Sequence, residues 1–590
     1  MMTRRTPISL LLAALAVAVS APPVAAVTDA RVSVGTPDGL TPQNHQNEPA
    51  VAIDAHNPNF VVAGAIDHGD QQPCPRTLAI EEATCEIDNG VGVSGVYFSF
   101  DRGQHWTQPA YTGLTARDCG SESPCDPHVG PIGRVPWYYE NGLVDAGDPA
   151  VAIGPRPVNG RFSWANGARV YYSNNAADLS DFSGSGAGAF RGYQAVAVSR
   201  LDNPTPARVA RQSSWMPPVV VDQRQATTTF DDKDQIWADN AASSPFFGRV
   251  YECNDDFRSN GGGHGFPEAP MVSVSADGGD TWTTRQVTSA DANGNGQNLW
   301  GRVGCTIRTD SNGVAYLFDS RVENPTLSPA PQGEIVMQKS YDGGKKWTSP
   351  SVVQRTTYSP YVDPLSGRFV IDGYTGARTD DSGDPSIDVA NGAPTGTDAT
   401  NRIVLAWSDT GVNSSRQGAM VTSSTDRGNT WNTPTRVSAS GDRPLFTAAA
   451  ISPSGDRAYV VYEAVTSPWR GSDVTSPRHY HGVFRSAPVG LSGLGSWTTV
   501  YNGPSGDLRA TFPGHRLREE RVGDYIYAAA SRNYGVGVWI DARNAAVCPA
   551  IQDWRGTSLA AGAPVIPAPW PLADCPPTFG NTDVRAVSTG

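Results

Sequence analysis

Positive charge and long apolar runs are both scarce in this sequence. Its 590 residues include 45 Lys and Arg against 58 Asp and Glu, which gives a net charge of −13. An excess of negative charge argues against nucleic acid or an anionic lipid surface as a partner. After residue 26 no stretch approaches the roughly 20 consecutive apolar residues that a membrane-spanning helix needs. We therefore expect no nucleic-acid partner and no membrane span.

Several patterns that carry chemistry in other proteins are also missing. Neither Cys-x-x-Cys nor a clustered Cys/His spacing occurs, which argues against a zinc site. No Gly-x-Ser-x-Gly occurs, so Ser-His-Asp hydrolysis has no support. We expect no required metal or cofactor. Two clusters of Asp and Asn, at 291–296 and 380–384, could bind Ca²⁺ through oxygen atoms, although neither completes an EF-hand pattern.

The first 26 residues have the pattern of an export signal. Arg4 and Arg5 precede an apolar run from Ile8 to Val19, and small residues follow up to Ala26. A charged start, an apolar centre and small residues at the end are typical of a cleaved signal peptide. We expect cleavage near Ala26 and a secreted, extracellular or periplasmic protein.

The chain has eight cysteines, an even number, and in an exported protein this favours disulfides. Spacing alone does not select the connectivity, and we adopt sequential pairing as the interpretation. The predicted pairs are Cys74 with Cys85, Cys119 with Cys125, Cys253 with Cys305, and Cys548 with Cys575.

One eight-residue pattern, Ser-x-Asp-x-Gly-x-x-Trp, occurs four times, at 99–106, 275–282, 340–347 and 424–431. Each copy lies between two short apolar runs, which predicts a strand, a tight turn and a second strand. In such a turn Asp accepts backbone N–H groups, Gly supplies a positive φ, and Trp packs on the hairpin. Four copies indicate a repeated fold.

These copies resemble the Asp box, or BNR repeat, of the sialidase superfamily, and the resemblance covers residues from about 45 to 545. In that family the box joins the third and fourth strands of a β-propeller blade, at the rim and away from the central active site. The resemblance implies an all-β propeller of four-stranded blades. It also implies a structural role for Asp101, Asp277, Asp342 and Asp426.

A second recurring unit sets the number of blades. It consists of an apolar strand opened by a polar residue, followed by a strand rich in Tyr, Val and Trp. Copies begin near residues 47, 148, 232, 302, 384, 443 and 523. We therefore predict seven blades, with a six-bladed propeller and one appended unit as the alternative. The predicted boundaries are a lead-in at 27–45, the propeller at 46–545, and a strap or tail at 546–590.

The starts of the innermost strands of a propeller converge on its central channel, so polar residues there are candidates for the site. The candidates are Glu48, Asp148, Asp232, Asp234, Arg302, Asp384, Arg443, Asp524 and Tyr525. The alternative is that an Asp at a strand start only caps a turn, as Asp148-Pro149 invites.

The resemblance implies a glycoside hydrolase of the exo-α-sialidase type. Such an enzyme needs three arginines for the substrate carboxylate, a Tyr activated by a Glu, and an Asp as acid/base. We assign the catalytic roles to Tyr525, Glu520, Asp148 and Asp232. A second Tyr/Glu pair is Tyr462-Glu463.

Four arginines are candidates for substrate binding. Arg134-Val-Pro approximates the Arg-Ile-Pro signature of the family, but it follows the first Asp box, whereas in the family the signature precedes it. The candidates are Arg134, Arg302, Arg443 and Arg543.

Two other functions remain open. The first is a non-catalytic propeller that binds glycan or protein, because a fold does not by itself imply an activity. The second is a polysaccharide lyase that uses Tyr or His with Arg on an acidic sugar. The expected partner is a carbohydrate or glycoconjugate, and we expect the protein to be a monomer.

Overall fold

The structure is a computed structural model. It describes residues 27–85, 90–183, 194–223, 229–258, 268–288, 300–323, 332–358, 369–371, 383–409, 417–467, 474–491, 493–511 and 522–590, together with positions 1, 189 and 379.

The described residues form an all-β fold with a few short helices. In chain order the strands are β1 Asp29–Arg31, β2 Gln46–Ile53, β3 Val61–Asp67, β4 Ser94–Ser99, β5 Tyr111–Thr115, β6 His128–Ile132, β7 Leu143–Asp145, β8 Ala150–Pro155, β9 Pro157–Val158, β10 Arg161–Phe162, β11 Ala168–Asp178, β12 Ala195–Asp202, β13 Trp215–Gln223, β14 Thr229–Ala238, β15 Val250–Arg258, β16 Glu268–Ser275, β17 Thr283–Gln286, β18 Trp300–Thr309, β19 Ala315–Glu323, β20 Gln332–Ser340, β21 Ser351–Thr357, β22 Ser386–Val389, β23 Ile403–Asp409, β24 Gly418–Ser424, β25 Thr435–Arg436, β26 Arg443–Ile451, β27 Arg457–Val465, β28 His479–Gly490, β29 Gly493–Leu494, β30 Thr498–Asn502, β31 Gly506–Asp507, β32 Tyr527–Ala530, β33 Gly535–Asp541 and β34 Asp583–Ser588.

The helices all lie outside the main strands. They are α1 Leu179–Ser183, α2 Pro206–Val209, α3 Pro549–Ala561 and α4 Pro571–Asp574, with a π-helical turn at Leu78–Glu82 and 3-10 turns at His68–Asp70, Tyr139–Asn141, Trp164–Asn166, Gln212–Ser214 and Leu508–Ala510. None of the helices in the described part of the chain is long and apolar enough to cross a membrane.

The sheets are the seven blades of a β-propeller, as the count of recurring units predicts. From the inside outward they are β2-β3-β4, β8-β11-β12-β13, β14-β15-β16-β17, β18-β19-β20-β21, β22-β23-β24-β25, β26-β27-β28-β30 and β32-β33-β34-β1. In the first blade a bridge between Phe98 and Thr107 takes the place of a full fourth strand. Each innermost strand contacts the next, and β32 contacts β2, so the seven blades close into a ring.

The blades pack face to face, so a central strand is buried on both of its faces. In β27, for example, every residue from Ala458 to Val465 is buried. A strand covered on both faces has no side for water, so a continuous apolar run replaces the usual alternation. Between the sixth and seventh blades Gly537 of β33 lies against Phe484 and Val461, and a Cβ there would approach Phe484 to 2.8 Å.

The seventh blade combines the two ends of the chain. Its outermost strand is β1, which pairs with β34, and β34 in turn pairs with β33. Arg543 bonds Asp541 and reaches Asp29 of β1 at 2.7 Å. The propeller therefore extends beyond the predicted range of 46–545. The predicted lead-in supplies β1 and the predicted tail supplies β34. The seventh blade, which completes the ring, is therefore built from both ends of the chain.

In the four Ser-x-Asp-x-Gly turns the Ser and Asp side chains accept the same backbone N–H groups. In the first blade the Ser99 hydroxyl donates to Asp101, which accepts the backbone N–H of His105 at 2.9 Å. Gly103 has a φ of 85° and its N–H donates to Ser99, while the Trp106 indole donates to the Gly103 carbonyl. The corresponding contacts to Asp recur at Asp277, Asp342 and Asp426.

These four turns all follow the third strand of their blade. The third strand is antiparallel to the second and therefore runs in the same direction as the first. The turns lie at the end of the ring where the innermost strands finish, far from the polar residues at which those strands start. In this structure the turns are stabilised by backbone hydrogen bonds to the carboxylates of Asp101, Asp277, Asp342 and Asp426.

The eight cysteines form four disulfides in the predicted sequential order. One of them, Cys253–Cys305, joins the third blade to the fourth. Two others, Cys74–Cys85 and Cys548–Cys575, belong to one apolar cluster between the loop after β3 and the helix α3. The fourth disulfide is Cys119–Cys125.

Candidate functional site

A small cavity of about 60 Å³ lies in the central channel, at the end where the innermost strands begin. We call it the acidic pocket. Its charged and hydroxyl-bearing lining residues are Lys233, Asp234, Thr306, Arg308, Asp384, Ser386, Thr447, Asp524, Tyr525 and Tyr527. The sequence-based expectation that strand starts converge on the channel is correct for Asp234, Asp384, Asp524 and Tyr525.

Lys233 is placed in the pocket by a break in β14. Pairing of β14 with β15 shifts register between Asp232 and Gln235, and Lys233 has a φ of 58°. A bulge of this kind redirects a side chain out of the sheet. Glu48 and Asp148 have similar positive φ values of 52° and 49° where their own blades begin. The same positive-φ backbone conformation at these three positions turns polar side chains toward the channel.

Two aspartates stabilise the Lys233 bulge by accepting a hydrogen bond from its backbone. The backbone N–H of Lys233 donates to Asp148 Oδ2 at 3.1 Å and to Asp232 Oδ1 at 3.0 Å. The Lys233 ammonium lies 2.6 Å from Asp524 Oδ2, and both side chains are almost fully buried. Asp148 and Asp232 thus lie beside the pocket without lining it. Their catalytic role stays a prediction.

Burial changes the protonation of the carboxyls around the pocket. Asp148 has its pKa raised to about 6 by burial and by the nearby Glu48 carboxylate. Asp234 is 2% exposed, and neither of its side-chain oxygens has a hydrogen-bond partner among the described residues. Burial, together with the charge of Asp148, raises the pKa of Asp234 well above its usual range. Burial therefore favours the protonated form of the Asp234 carboxyl.

Tyr525 lines the pocket, but its surroundings do not activate it as a nucleophile. Its hydroxyl lies 3.5 Å from the Pro149 carbonyl oxygen. Burial and the nearby carboxylates of Asp148 and Glu48 raise its pKa well above the usual value for a tyrosine. Its predicted activating partner, Glu520, lies outside the described residues.

The second predicted Tyr/Glu pair is wrong. Tyr462 and Glu463 are neighbours in β27, so their side chains point to opposite faces of the sheet. The Tyr462 hydroxyl donates to Asp442, and Glu463 accepts the backbone N–H of Ile540 at 3.0 Å.

Arg302 and Arg134, two of the predicted substrate-binding residues, pair with carboxylates of the protein itself, and their role in substrate binding stays a prediction. Arg302 is completely buried and forms two hydrogen bonds to Asp319, at 2.8 and 2.6 Å. Arg134 is 3% exposed and bonds Asp70 and Asp145. A buried guanidinium needs a carboxylate partner to offset the loss of hydration, and here the partner belongs to the protein.

Arg443 and Arg543 do not line the acidic pocket, and their role in substrate binding stays a prediction. Arg443 is buried, and its guanidinium donates to the Ser467 carbonyl. Arg543 lies at the end of β33 and bonds Asp541 and Asp29, where it fastens the outermost strand of the seventh blade.

Two cations of the pocket were missed in the sequence. Lys233 stands between two predicted residues, Asp232 and Asp234, and that local pattern could have revealed it. Arg308 lies at the far end of β18 and contacts the pocket from within the channel. No local pattern marks it, because its exposure to the channel depends on how seven strands converge.

No group of three or more His, Cys, Asp or Glu side chains in the described part of the chain has the arrangement of a metal site. The first predicted calcium cluster, 291–296, lies outside the described residues, as do positions 380–382 of the second. Calcium binding stays a prediction there.

We expect thermal stability to be highest in mildly acidic buffer. Burial raises the pKa values of Asp148, Asp239 and Glu463 to about 6, 7 and 8. In the unfolded chain such carboxyls lose their protons near pH 4. Between these values the unfolded state binds fewer protons than the folded state, so stability falls as pH rises from about 4 to about 8. Melting temperatures measured across this window test the sign.

The variant Asp239→Asn provides the control for that experiment. It removes one of the titrating groups without changing its size, so the fall in melting temperature with pH should become shallower. A melting temperature that rises between pH 4 and 8 would contradict the expected proton linkage.

Comparisons with known proteins give only distant likenesses. No protein-family model and no curated protein matches the sequence. Among solved structures, a lectin from Burkholderia pseudomallei is 12% identical, with 77% of this chain and 83% of that chain covered and a TM-score of 0.37. An intramolecular trans-sialidase from Ruminococcus gnavus is 10% identical, with 73% and 94% covered and a TM-score of 0.37. An ulvan lyase is 10% identical, with 85% and 92% covered and a TM-score of 0.37. Such likenesses transfer no activity to this chain.

Proposed function

We propose that this protein is an exported, glycan-active propeller that hydrolyses a glycosidic bond in the acidic pocket. The observation that carries the proposal is a pair of carboxyls in unlike surroundings within one cavity. Asp234 is buried beside the carboxyls of Asp148 and Asp232, whereas Asp524 lies 2.6 Å from the Lys233 ammonium. Glycoside hydrolysis uses one protonated and one ionised carboxyl, and unlike surroundings are how proteins obtain that combination.

In this proposal Asp234 is the general acid that protonates the leaving oxygen. The ion pair with Lys233 keeps Asp524 ionised, so that it serves as the base or nucleophile. Tyr525, with its raised pKa, donates a hydrogen bond to the sugar. These roles use residues that line the pocket, unlike the four predicted arginines.

The exo-α-sialidase form of the proposal needs cations for the substrate carboxylate. Among the described lining residues, Lys233 and Arg308 are the cations that could meet it. Several carboxyls surround them, which favours a sugar that carries no more than one negative charge. Export is supported by the signal-like first 26 residues and by the four disulfides, which persist in oxidising compartments. All seven blades come from one chain, which supports a monomer.

The test is hydrolysis of fluorogenic α-sialosides and neutral glycosides by the mature protein. Asp234→Asn should lower kcat/KM by about 10²- to 10⁴-fold, because the acid is lost while the shape of the side chain is kept. Tyr525→Phe should cost about tenfold, as expected for one hydrogen bond. Asp553→Asn, at an exposed position of α3, is the matched control and should have full activity.

A non-catalytic glycan-binding propeller is the second candidate. It is favoured by the engagement of the pocket carboxylates with the protein itself: Asp524 pairs with Lys233, and Asp384 accepts the Ser320 hydroxyl at 2.6 Å. A folded protein that releases no fluorophore from any glycoside would overturn hydrolysis. Binding on a glycan array, and assays with uronate polymers for lyase activity, would then distinguish the remaining functions.

A further inference from the structure

A second and larger cavity lies at the other end of the central channel. It has a volume of about 310 Å³, within the range of small-molecule sites. We call it the exit cavity, because it is lined by the ends of the innermost strands and by the loops that follow them, at 51–58, 151–153, 236–240, 388–394, 451–453 and 527–533. Its rim reaches solvent, where His56 and Asn533 are exposed.

The walls of the exit cavity are mostly apolar. They consist of branched aliphatic side chains from five blades, with the face of Trp237 and the short side chains of β32 between them. The aliphatic residues are Val51, Ile53, Val151, Ile153, Ile236, Val389 and Ile451. An apolar cavity of this size favours a ligand with an apolar or aromatic body, since burial of such surface is the main source of affinity.

One cation, Arg308, lies at the inner end of this cavity. Arg308 and Tyr527 line both the acidic pocket and the exit cavity, so they separate the two. The Arg308 side chain is 12% exposed, and its guanidinium carbon lies 4.8 Å from the centre of the Trp237 ring. One Nη donates to the Ile307 carbonyl at 2.7 Å, and the other Nη forms no hydrogen bond to a described residue. Nε has no partner among the described residues either, but it is inaccessible to solvent.

The nearest carboxylate does not satisfy this guanidinium. Asp388 Oδ1 is 3.9 Å from Arg308 Nε, beyond hydrogen-bonding distance. The two Asp388 oxygens instead accept the backbone N–H groups of Val389 and Ile451, each at 2.9 Å. Burial also raises the pKa of Asp388, which weakens it as a counter-ion. Arg308 therefore keeps donor capacity for an anion in the cavity.

The other arginine of the exit cavity is already engaged. Arg532, at the rim, bonds Asp398 and donates to the carbonyls of Gly392 and Ala393. Its charge and most of its donors are used within the protein. Among the described lining residues, this leaves Arg308 as the cation with an unused donor, at the inner end of an apolar cavity.

We propose that the exit cavity is a second ligand site, for a small molecule with an apolar or aromatic body and one anionic group. The body packs between the strand ends and against Trp237, and the anionic group accepts hydrogen bonds from Arg308. Charge-assisted hydrogen bonds of this kind are the strong ones, particularly where water is excluded. The site is separate from the acidic pocket and does not depend on the protein being a hydrolase.

The experiment uses two fluorescent probes that share one ring system. The first, 8-anilinonaphthalene-1-sulfonate, is anionic; the second, N-phenyl-1-naphthylamine, lacks the sulfonate. We expect saturable binding of the anionic probe to the mature protein with a stoichiometry of one. Arg308→Gln should weaken the anionic probe by about ten- to hundredfold, the loss expected for a hydrogen bond to a charged group. Binding of the uncharged probe should change by less than about twofold, since it makes no such bond.

Variants that fill the exit cavity are the second part of the experiment. Ala52→Trp and Ala530→Trp place an indole inside the exit cavity, and either variant should abolish binding of both probes without changing hydrolysis in the acidic pocket. Ala563→Trp, at an exposed position after α3, is the matched control and should leave both probes bound. Arg308→Lys keeps the charge and should recover part of the affinity for the anionic probe.

Two results would overturn the proposal: an anionic-probe affinity that Arg308→Gln leaves unchanged, or probe binding that survives both cavity-filling variants. If the filled variants do not fold, competition on the unaltered protein decides. There 2-naphthoate should displace the anionic probe at least about tenfold better than 2-naphthalenemethanol, and equal displacement would contradict a role for Arg308.

Discussion

A protein that lacks residues 583–590 is expected to lose its cooperative unfolding transition. The deletion removes β34, which pairs with β33 on one side and with β1 on the other. Val584 and Val587 are completely buried, and their burial alone contributes about 3–6 kcal/mol. Loss of two strand pairings in the seventh blade adds to this, against a total stability of about 5–15 kcal/mol for a typical domain. Differential scanning calorimetry and near-UV circular dichroism measure the outcome.

Two shorter deletions serve as controls. Removal of residues 27–31 deletes only β1, so the ring of innermost strands stays closed and a cooperative transition at lower temperature is expected. Removal of Thr589 and Gly590 deletes no strand and should lower the melting temperature least. If the protein without residues 583–590 melted as sharply and as high as the intact chain, the closure of the seventh blade would not be what holds the ring.

Arg302→Met is expected to destabilise the protein by about 3–5 kcal/mol. The substitution leaves Asp319 buried without the guanidinium that now donates two hydrogen bonds to it. An uncompensated buried charge costs far more than the loss of an exposed ion pair. Urea unfolding measures the free-energy change, and the midpoint should fall while the slope stays constant.

The double variant Arg302→Met/Asp319→Leu tests whether the destabilisation comes from leaving Asp319 without a partner or from the loss of the arginine itself. It removes both charges, so most of the stability should return. Arg355→Ala, at a side chain that is 77% exposed, is the surface control and should change stability by less than about 0.5 kcal/mol. Unchanged stability of Arg302→Met, combined with a loss of glycoside hydrolysis, would restore Arg302 as a substrate-binding residue.

The elements that were predicted correctly are those whose signals are local. The Ser-x-Asp-x-Gly-x-x-Trp turn closes within eight residues, and Asp101 bonds the N–H of His105 only four positions away. The seven innermost strands were recognisable because each begins with a polar residue and continues as an apolar run. Turn chemistry and apolar runs act over one or two strands, so a single sequence is sufficient to detect them.

The roles of charged residues were predicted less well. Arg302, Arg134, Arg443 and Arg543 were chosen because arginine binds carboxylates, and in the structure each bonds a carboxylate or carbonyl of the protein itself. The chemistry was right, but the partner could not be read from residue type. Lys233 and Arg308 occupy the channel instead, because a bulge in β14 and the convergence of the innermost strands bring them there.

Patterns along the chain were enough to indicate the all-β class, the seven repeated units, the turn residues and the presence of disulfides, but not which cysteines pair. These depend on spacing and on side-chain chemistry over short distances. Only the tertiary structure decided that the two ends share the last blade, where Ser33 and Asp583 come together although they are 550 positions apart. It also decided which charges face the channel, since burial and pairing depend on neighbours from other blades, and those contacts leave no pattern along the chain.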